Sequence, residues 1–182
     1  MDILKKAKLP IYLLDTVINL MNKLKIAFFV IVLSFSTYMV KADDQLSFSI
    51  GQFDINDTID SAEMRLEYLY GQNFYNNNFD LKPFVGAMFN SDSGKYIYSG
   101  LRKDYLISSK WNFTPSFAAG YYDRGSSKDL GHNIEFRSQL EFSYQTANGR
   151  VGFNVNHISN ASISNKNPGT ESATTVSYTH LT

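Results

Sequence analysis

HNIEFRSQLEFSYQ, residues His132–Gln145, is the stretch whose reading decides the fold of this chain. Ile134, Phe136, Leu140, Phe142 and Tyr144 fall on one side of a two-residue repeat, and Glu135, Arg137, Gln139, Glu141 and Gln145 fall on the other. Alternation of this kind is the period of a β-strand with one apolar and one polar face. The run is also long. Strands of soluble proteins average about 5–6 residues, whereas a tilted strand that crosses a bilayer needs about 9–11.

The same pattern recurs along the chain. Ser61–Tyr70 sets Ala62, Met64, Leu66, Tyr68 and Tyr70 against Glu63, Arg65 and Glu67. Six further strands are expected at Gln45–Asp54, Asp80–Asn90, Lys95–Ile107, Lys110–Tyr122, Gly149–Ser159 and Glu171–Leu181. No convincing helical period interrupts them. Aromatic residues make up 15% of the chain against only 4 prolines, which suits β structure. The expected fold is therefore all-β: an eight-stranded antiparallel outer-membrane β-barrel, with lipid outside and a polar interior. The competing reading is a soluble sandwich or lipocalin-like barrel whose apolar face turns inward. Strand length, aromatic placement and an export signal favour the membrane version. A barrel of eight strands is filled by its own side chains, so function is expected on its rim or outer wall.

The export signal begins at Met21. MNKLK is basic, Ile26–Val40 is an apolar run of 15 residues, and Val40 and Ala42 occupy the −3 and −1 positions ahead of DDQ. That order of regions is a secretory signal, and the run is short of the roughly 20 residues of a spanning helix. Residues 1–42 are thus read as an N-terminal extension plus signal peptide, and residues 43–182 as the barrel domain. The leader takes Lys5, Lys6, Lys8, Lys23, Lys25 and Lys41, and with them Asp2 and Asp15. Of 17 basic and 17 acidic residues, 11 and 15 remain, so the mature chain carries a formal charge of about −4. No basic excess points to a nucleic acid, and the absence of cysteine excludes disulfides and thiol nucleophiles. Asn76–Asn78 reads as a polar loop.

The usual barrel layout puts both termini in the periplasm and directs odd strands outward. The loops Asp123–Gly131 and Asn160–Thr170 then lie outside the cell. Trp111, Phe113, Tyr144, Tyr68 and Tyr70 are expected in a periplasmic aromatic girdle, and Tyr96, Tyr98, Tyr121 and Tyr122 in an outer one.

The seventh strand, GRVGFNVNHIS, continues an apolar face of Val151, Phe153 and Val155 into His157 and Ser159. Polar groups on a lipid-facing wall carry a cost and call for a function. Residues two apart on a strand are separated by about 6.6 Å and point the same way, so an imidazole can approach a serine hydroxyl. A serine needs such a base to become a nucleophile, and the base needs a third group to hold its tautomer. Glu171, at the start of the antiparallel neighbour, is the candidate. Asn160 follows the serine directly and offers a side-chain amide or its backbone N–H to an oxyanion.

HISNASISNKNPGTES, beginning at His157, resembles the lipid A 3-O-deacylase (PagL-like) family of outer-membrane enzymes. The resemblance rests on a His-x-Ser-Asn motif with a Glu in the following segment; here the His–Ser and Ser–Glu spacings are 2 and 12. It extends upstream through LGHNIEFRSQLEFSYQTANGRVGFNVN and covers about Leu130 to Glu171. It implies an eight-stranded barrel in the Gram-negative outer membrane with its active site towards the outer leaflet. It implies an esterase that removes an ester-linked 3-hydroxyacyl chain from lipid A of lipopolysaccharide, amid outer-membrane lipids and with no cofactor or metal. By the resemblance, His157 is the general base, Ser159 the nucleophile, Glu171 the residue that orients His157, and Asn160 an oxyanion contributor. The chain departs from the family's pattern in its last strand, SATTVSYTHLT. If Glu171 faces outward, so do Ala173, Thr175, Ser177 and Thr179, none strongly apolar, and the terminal aromatic residue usual in such barrels is missing. The alternative function is a non-catalytic small barrel for membrane integrity or adhesion.

Overall fold

The alternation of the deciding stretch becomes β7 (Ile134–Thr146), a strand of 13 residues. Arg137 and Glu141 are each 1% exposed on its inner side, while Leu140 is 48% exposed on the outer. The computed structural model of the chain describes residues 43–57, 61–74, 79–147 and 149–181. The expected leader at residues 1–42 and the polar loop at Asn76–Asn78 lie outside the described residues.

The remaining strands are β1 (Gln45–Phe53), β2 (Ser61–Leu69), β3 (Lys82–Asn90), β4 (Lys95–Arg102), β5 (Tyr105–Leu106), β6 (Trp111–Asp123), β8 (Gly149–Ser159) and β9 (Thr170–His180). Every neighbouring pair is antiparallel. β1 pairs with both β2 and β9, and β4 and β5 both pair with β6, so the sheet closes on itself. Closure removes the unpaired edges that an open sheet would leave in lipid.

β4 and β5 are one wall strand with a break. Arg102 faces Ser116 and Tyr105 faces Phe113, which is a single continuous register along β6. The interruption at Lys103–Asp104 stands opposite Pro115. Lys103 N–H donates to the Pro115 carbonyl at 3.1 Å, but proline has no N–H to return, so the ladder cannot run through. Asp104 instead accepts hydrogen bonds from Thr114 (2.8 Å) and Arg150 (3.2 Å) and pairs with Arg102. The wall is therefore a closed eight-stranded antiparallel barrel, as the sequence pattern predicts. The weakly apolar last strand takes its place in it, with Val176 and Tyr178 inside and Thr175 and Ser177 outside.

The interior is packed and polar. The Arg137 guanidinium bridges Glu67 at 2.7 Å and Tyr98 at 2.9 Å, Arg65 reaches Gln139 at 2.7 Å, and Tyr178 donates to Glu141. Buried charges require partners of this kind. The outer wall carries Ile50, Met64, Leu66, Ile97, Phe117 and Phe153, each at least half exposed. A continuous band of this sort matches a hydrocarbon surround rather than water.

The outer girdle differs from expectation. Tyr121 faces outward, but Tyr96, Tyr98 and Tyr122 are 0–3% exposed inside the barrel. Tyr121 and Tyr122 are consecutive and must point to opposite sides of the wall. On β4, Ile97 takes the lipid side, which turns its neighbours Tyr96 and Tyr98 inward. There their hydroxyls donate to the Glu135 carbonyl (2.8 Å) and to Glu67 (2.7 Å). At the opposite end, Trp111 is half exposed and meets Tyr144 edge-on at 5.3 Å between ring centroids, on the outside as expected.

Candidate functional site

Four connections gather at the end of the barrel away from β1's first residue: β1–β2, β3–β4, β6–β7 and β8–β9. The site lies on the outer wall below them. β8 alternates without a slip, so Asn154, Asn156 and Ile158 are buried inside while His157 is exposed outside. Ser159 follows on the outer side, half-buried and opposite Phe136 of β7.

The β8–β9 register sets His157 directly opposite Glu171. Their side chains meet with Nδ1 to Oε1 at 2.9 Å, and they are 46% and 40% exposed. Those exposures place the pair on the barrel's outer surface rather than in its interior. An ionised carboxylate can only accept, so Nδ1 carries a hydrogen, and in the neutral imidazole Nε2 then keeps its lone pair. The imidazole is thus held in the tautomer that a general base requires. Lipid in a membrane reaches such a surface laterally, without a deep pocket. A shallow cleft of about 550 Å³ lies elsewhere on the wall, among Leu66, Val85 and Ile97, and contains none of these residues.

Asn160 stands next to Ser159, as the chain dictates, but its side chain turns inward and is fully buried. Its Nδ2 donates to the carbonyls of Leu130 (2.9 Å) and Lys166 (2.8 Å), and its backbone N–H donates to Asn167 Oδ1 at 3.0 Å. Asn160 therefore ties the β8–β9 loop to the β6–β7 loop. Ser164 adds a bond to the Gly131 carbonyl at 3.0 Å, and Lys166 pairs with Asp129 at 2.7 Å. That lysine, by its hydrogen bond, holds the Asp129 carboxyl below its usual range.

The chain then makes a tight turn. Ile163 N–H donates to the Asn160 carbonyl at 3.0 Å, and the two central residues, Ala161 and Ser162, have φ of 50° and 64°. This is the φ pattern of a type I′ turn, which favours Asn and Gly. An alanine and a serine there cost about 1 kcal/mol each or more, and strain of this kind clusters at functional sites.

Two residues at the site escape a reading of motifs. Gly169 has φ of 64°, and a Cβ there would stand 2.7 Å from His157 Cε1 and 3.3 Å from Nε2. It leaves the space the imidazole occupies; the Pro168–Gly169 turn signal marks the bend but not that contact. Asn56, from the β1–β2 connection, donates from Nδ2 to Glu171 Oε2 at 3.0 Å. No local pattern marks it, because β1 reaches β9 only through barrel closure.

Comparison with known proteins agrees with the barrel fold. The family model described as "Lipid A 3-O-deacylase (PagL)" matches residues 51–179. The crystal structure of the outer membrane enzyme PagL is similar in fold, with a TM-score of 0.60 and 15% identity over 75% of this chain and 99% of that one. A de novo designed transmembrane β-barrel is also similar, with a TM-score of 0.51 and 13% identity over 79% of this chain and 100% of that one. No curated protein sequence matches the chain.

Proposed function

Because the chain belongs to the lipid A 3-O-deacylase (PagL) family, we propose that it is an outer-membrane esterase that removes the 3-O-linked 3-hydroxyacyl chain of lipid A. The substrate is lipopolysaccharide in the outer leaflet, and the site opens towards that leaflet. The observation that carries this reading is the His157–Glu171 pair on the lipid-facing wall, two residues from an outward serine.

Ser159 Oγ attacks the ester carbonyl while His157 Nε2 takes its proton. Glu171 holds Nδ1–H and stabilises the imidazolium that results. The tetrahedral intermediate collapses as His157 returns the proton to the sugar oxygen, which leaves with the deacylated lipid. Water, deprotonated by the same imidazole, then cleaves the acyl-enzyme and releases a 3-hydroxy fatty acid. A positioned base contributes about 10²–10⁴-fold to such a step. Asn160 is proposed to help stabilise the oxyanion through its backbone N–H. In this structure that N–H is held by Asn167, so its service requires an exchange of partner as the oxyanion forms. The site's position on the outer wall suits an amphipathic substrate whose acyl chains stay in the bilayer during the reaction.

The test is the mass of lipid A from lipopolysaccharide-bearing membranes that contain the protein. Loss of one 3-hydroxyacyl group with wild type, and not with His157→Asn, supports the reading. Unchanged lipid A with wild type sinks it.

A further inference from the structure

Glu171 has two carboxylate oxygens, and each has its own partner. Oε1 faces His157 at 2.9 Å and Oε2 accepts from Asn56 at 3.0 Å. Asn56 sits in an exposed connection, where a lone asparagine would ordinarily swing freely. This connection is fastened instead. Asp54, buried and at φ of 62°, accepts from Thr170 Oγ1 at 2.9 Å and from Lys128 Nζ at 2.7 Å. Ile55 N–H donates to the Glu171 carbonyl at 3.0 Å, and Asp57 N–H closes the turn onto the Asp54 carbonyl at 3.1 Å. Three successive residues, Asp54, Ile55 and Asn56, thus grip two successive residues of β9, Thr170 and Glu171.

From this we infer that Asn56 is a positioning residue for the hydrolytic site, acting through Glu171 to hold His157 towards Ser159. The inference rests on the serine-esterase reading given above. A carboxylate with only one partner can rotate and offer either oxygen. With Oε2 fixed by an amide, Oε1 is committed to the imidazole. An amide suits that place because it donates without carrying charge, so it fixes the carboxylate's geometry without cancelling the negative charge that the imidazolium needs. The titratable groups around Glu171 are His157 from β8 and Lys128 from the β6–β7 connection; Asp54 and Asp57 lie on the Asn56 connection itself and face Lys128 at 2.7 Å and 3.4 Å.

The experiment uses the full mature barrel in lipopolysaccharide-containing vesicles, with wild type, Asn56→Ala, Asn56→Asp and Ser159→Ala. Two rates are followed: acyl release from lipid A, and covalent labelling of the serine by a fluorophosphonate, which reads nucleophile activation whatever the natural ester is. Asn56→Ala is expected to lower kcat and the labelling rate about tenfold with KM little changed. Asn56→Asp is expected to move the acidic limb of the labelling profile to higher pH, because the added negative charge keeps His157 protonated longer. A packing defect in the loop would not produce that displacement. Heat-modifiable gel mobility reports that each variant is a folded barrel. Folded variants with wild-type labelling rates and a wild-type pH profile would overturn the inference, and so would a wild type whose labelling is the same as that of Ser159→Ala. A wild type that labels but releases no acyl chain from lipid A refutes the lipid A substrate alone, and the labelling rates still decide the role of Asn56.

Discussion

His157 and Glu171 stand directly opposite each other on β8 and β9, and their side chains meet at 2.9 Å on the outside of the barrel. The pair is separated by a loop whose own contacts fix it, so the two residues are held by ladder register and not by a flexible reach. That relationship makes the role of the carboxylate separable from its shape.

Glu171→Gln keeps the size of the side chain and removes its charge. The amide can still meet Nδ1 in either orientation, but it no longer stabilises an imidazolium. We expect kcat to fall by about 10²- to 10⁴-fold with barrel stability unchanged. Steady-state acyl release together with gel mobility checks both halves of that expectation.

Gly169→Ala should injure the same site from the other side. A Cβ would press on His157 Cε1 at 2.7 Å, and the backbone φ of 64° disfavours any side chain. Displacing the imidazole should lower kcat at least tenfold, with a folding cost of about 1 kcal/mol. Urea unfolding in vesicles gives the second quantity. Wild-type kcat in this variant would show that His157 does not depend on that space.

Asn160→Ala separates the loop-tying role from the proposed oxyanion role. It strips hydrogen bonds from the Leu130 and Lys166 carbonyls but leaves the backbone N–H in place. The expected cost is about 2 kcal/mol of stability and faster proteolysis within residues 160–169. Activity should fall only as far as the loop loosens. A large loss of kcat with the loop still protected would assign the side chain a direct part in catalysis.

Asp104 offers a test at the far end of the barrel. Its carboxylate accepts from Thr114 at 2.8 Å and from Arg150 at 3.2 Å and pairs with Arg102. Asp104→Asn removes the negative charge between two buried guanidinium groups, so the urea midpoint should fall by the equivalent of about 3 kcal/mol. A midpoint equal to that of wild type would exclude the carboxylate as a support of the broken strand.

The sequence pattern carried the wall of the barrel well, because a period of two fixes which side each residue faces once one strand is oriented. The same rule placed His157 and Ser159 together on the outer face. It misleads where aromatic residues occupy both faces: Tyr96, Tyr98 and Tyr122 read as interfacial anchors, yet all three lie inside, where Tyr96 donates to the Glu135 carbonyl, Tyr98 to Glu67 and Tyr122 to the Lys128 carbonyl. The break at Lys103–Asp104 was hidden because its cause, Pro115, sits on the neighbouring strand. Asn56 was hidden for a related reason. Its contact with Glu171 spans 115 residues and exists only because the last strand pairs with the first. Motifs report neighbours along the chain, whereas these contacts come from closure of the sheet.

The most direct test of the central claim is the mass of lipid A from outer membranes that contain either wild type or Ser159→Ala at matched levels of folded barrel. The account predicts that wild type removes one 3-hydroxyacyl group from lipid A and that Ser159→Ala leaves it intact. Equal loss in both, or loss in neither, would contradict it.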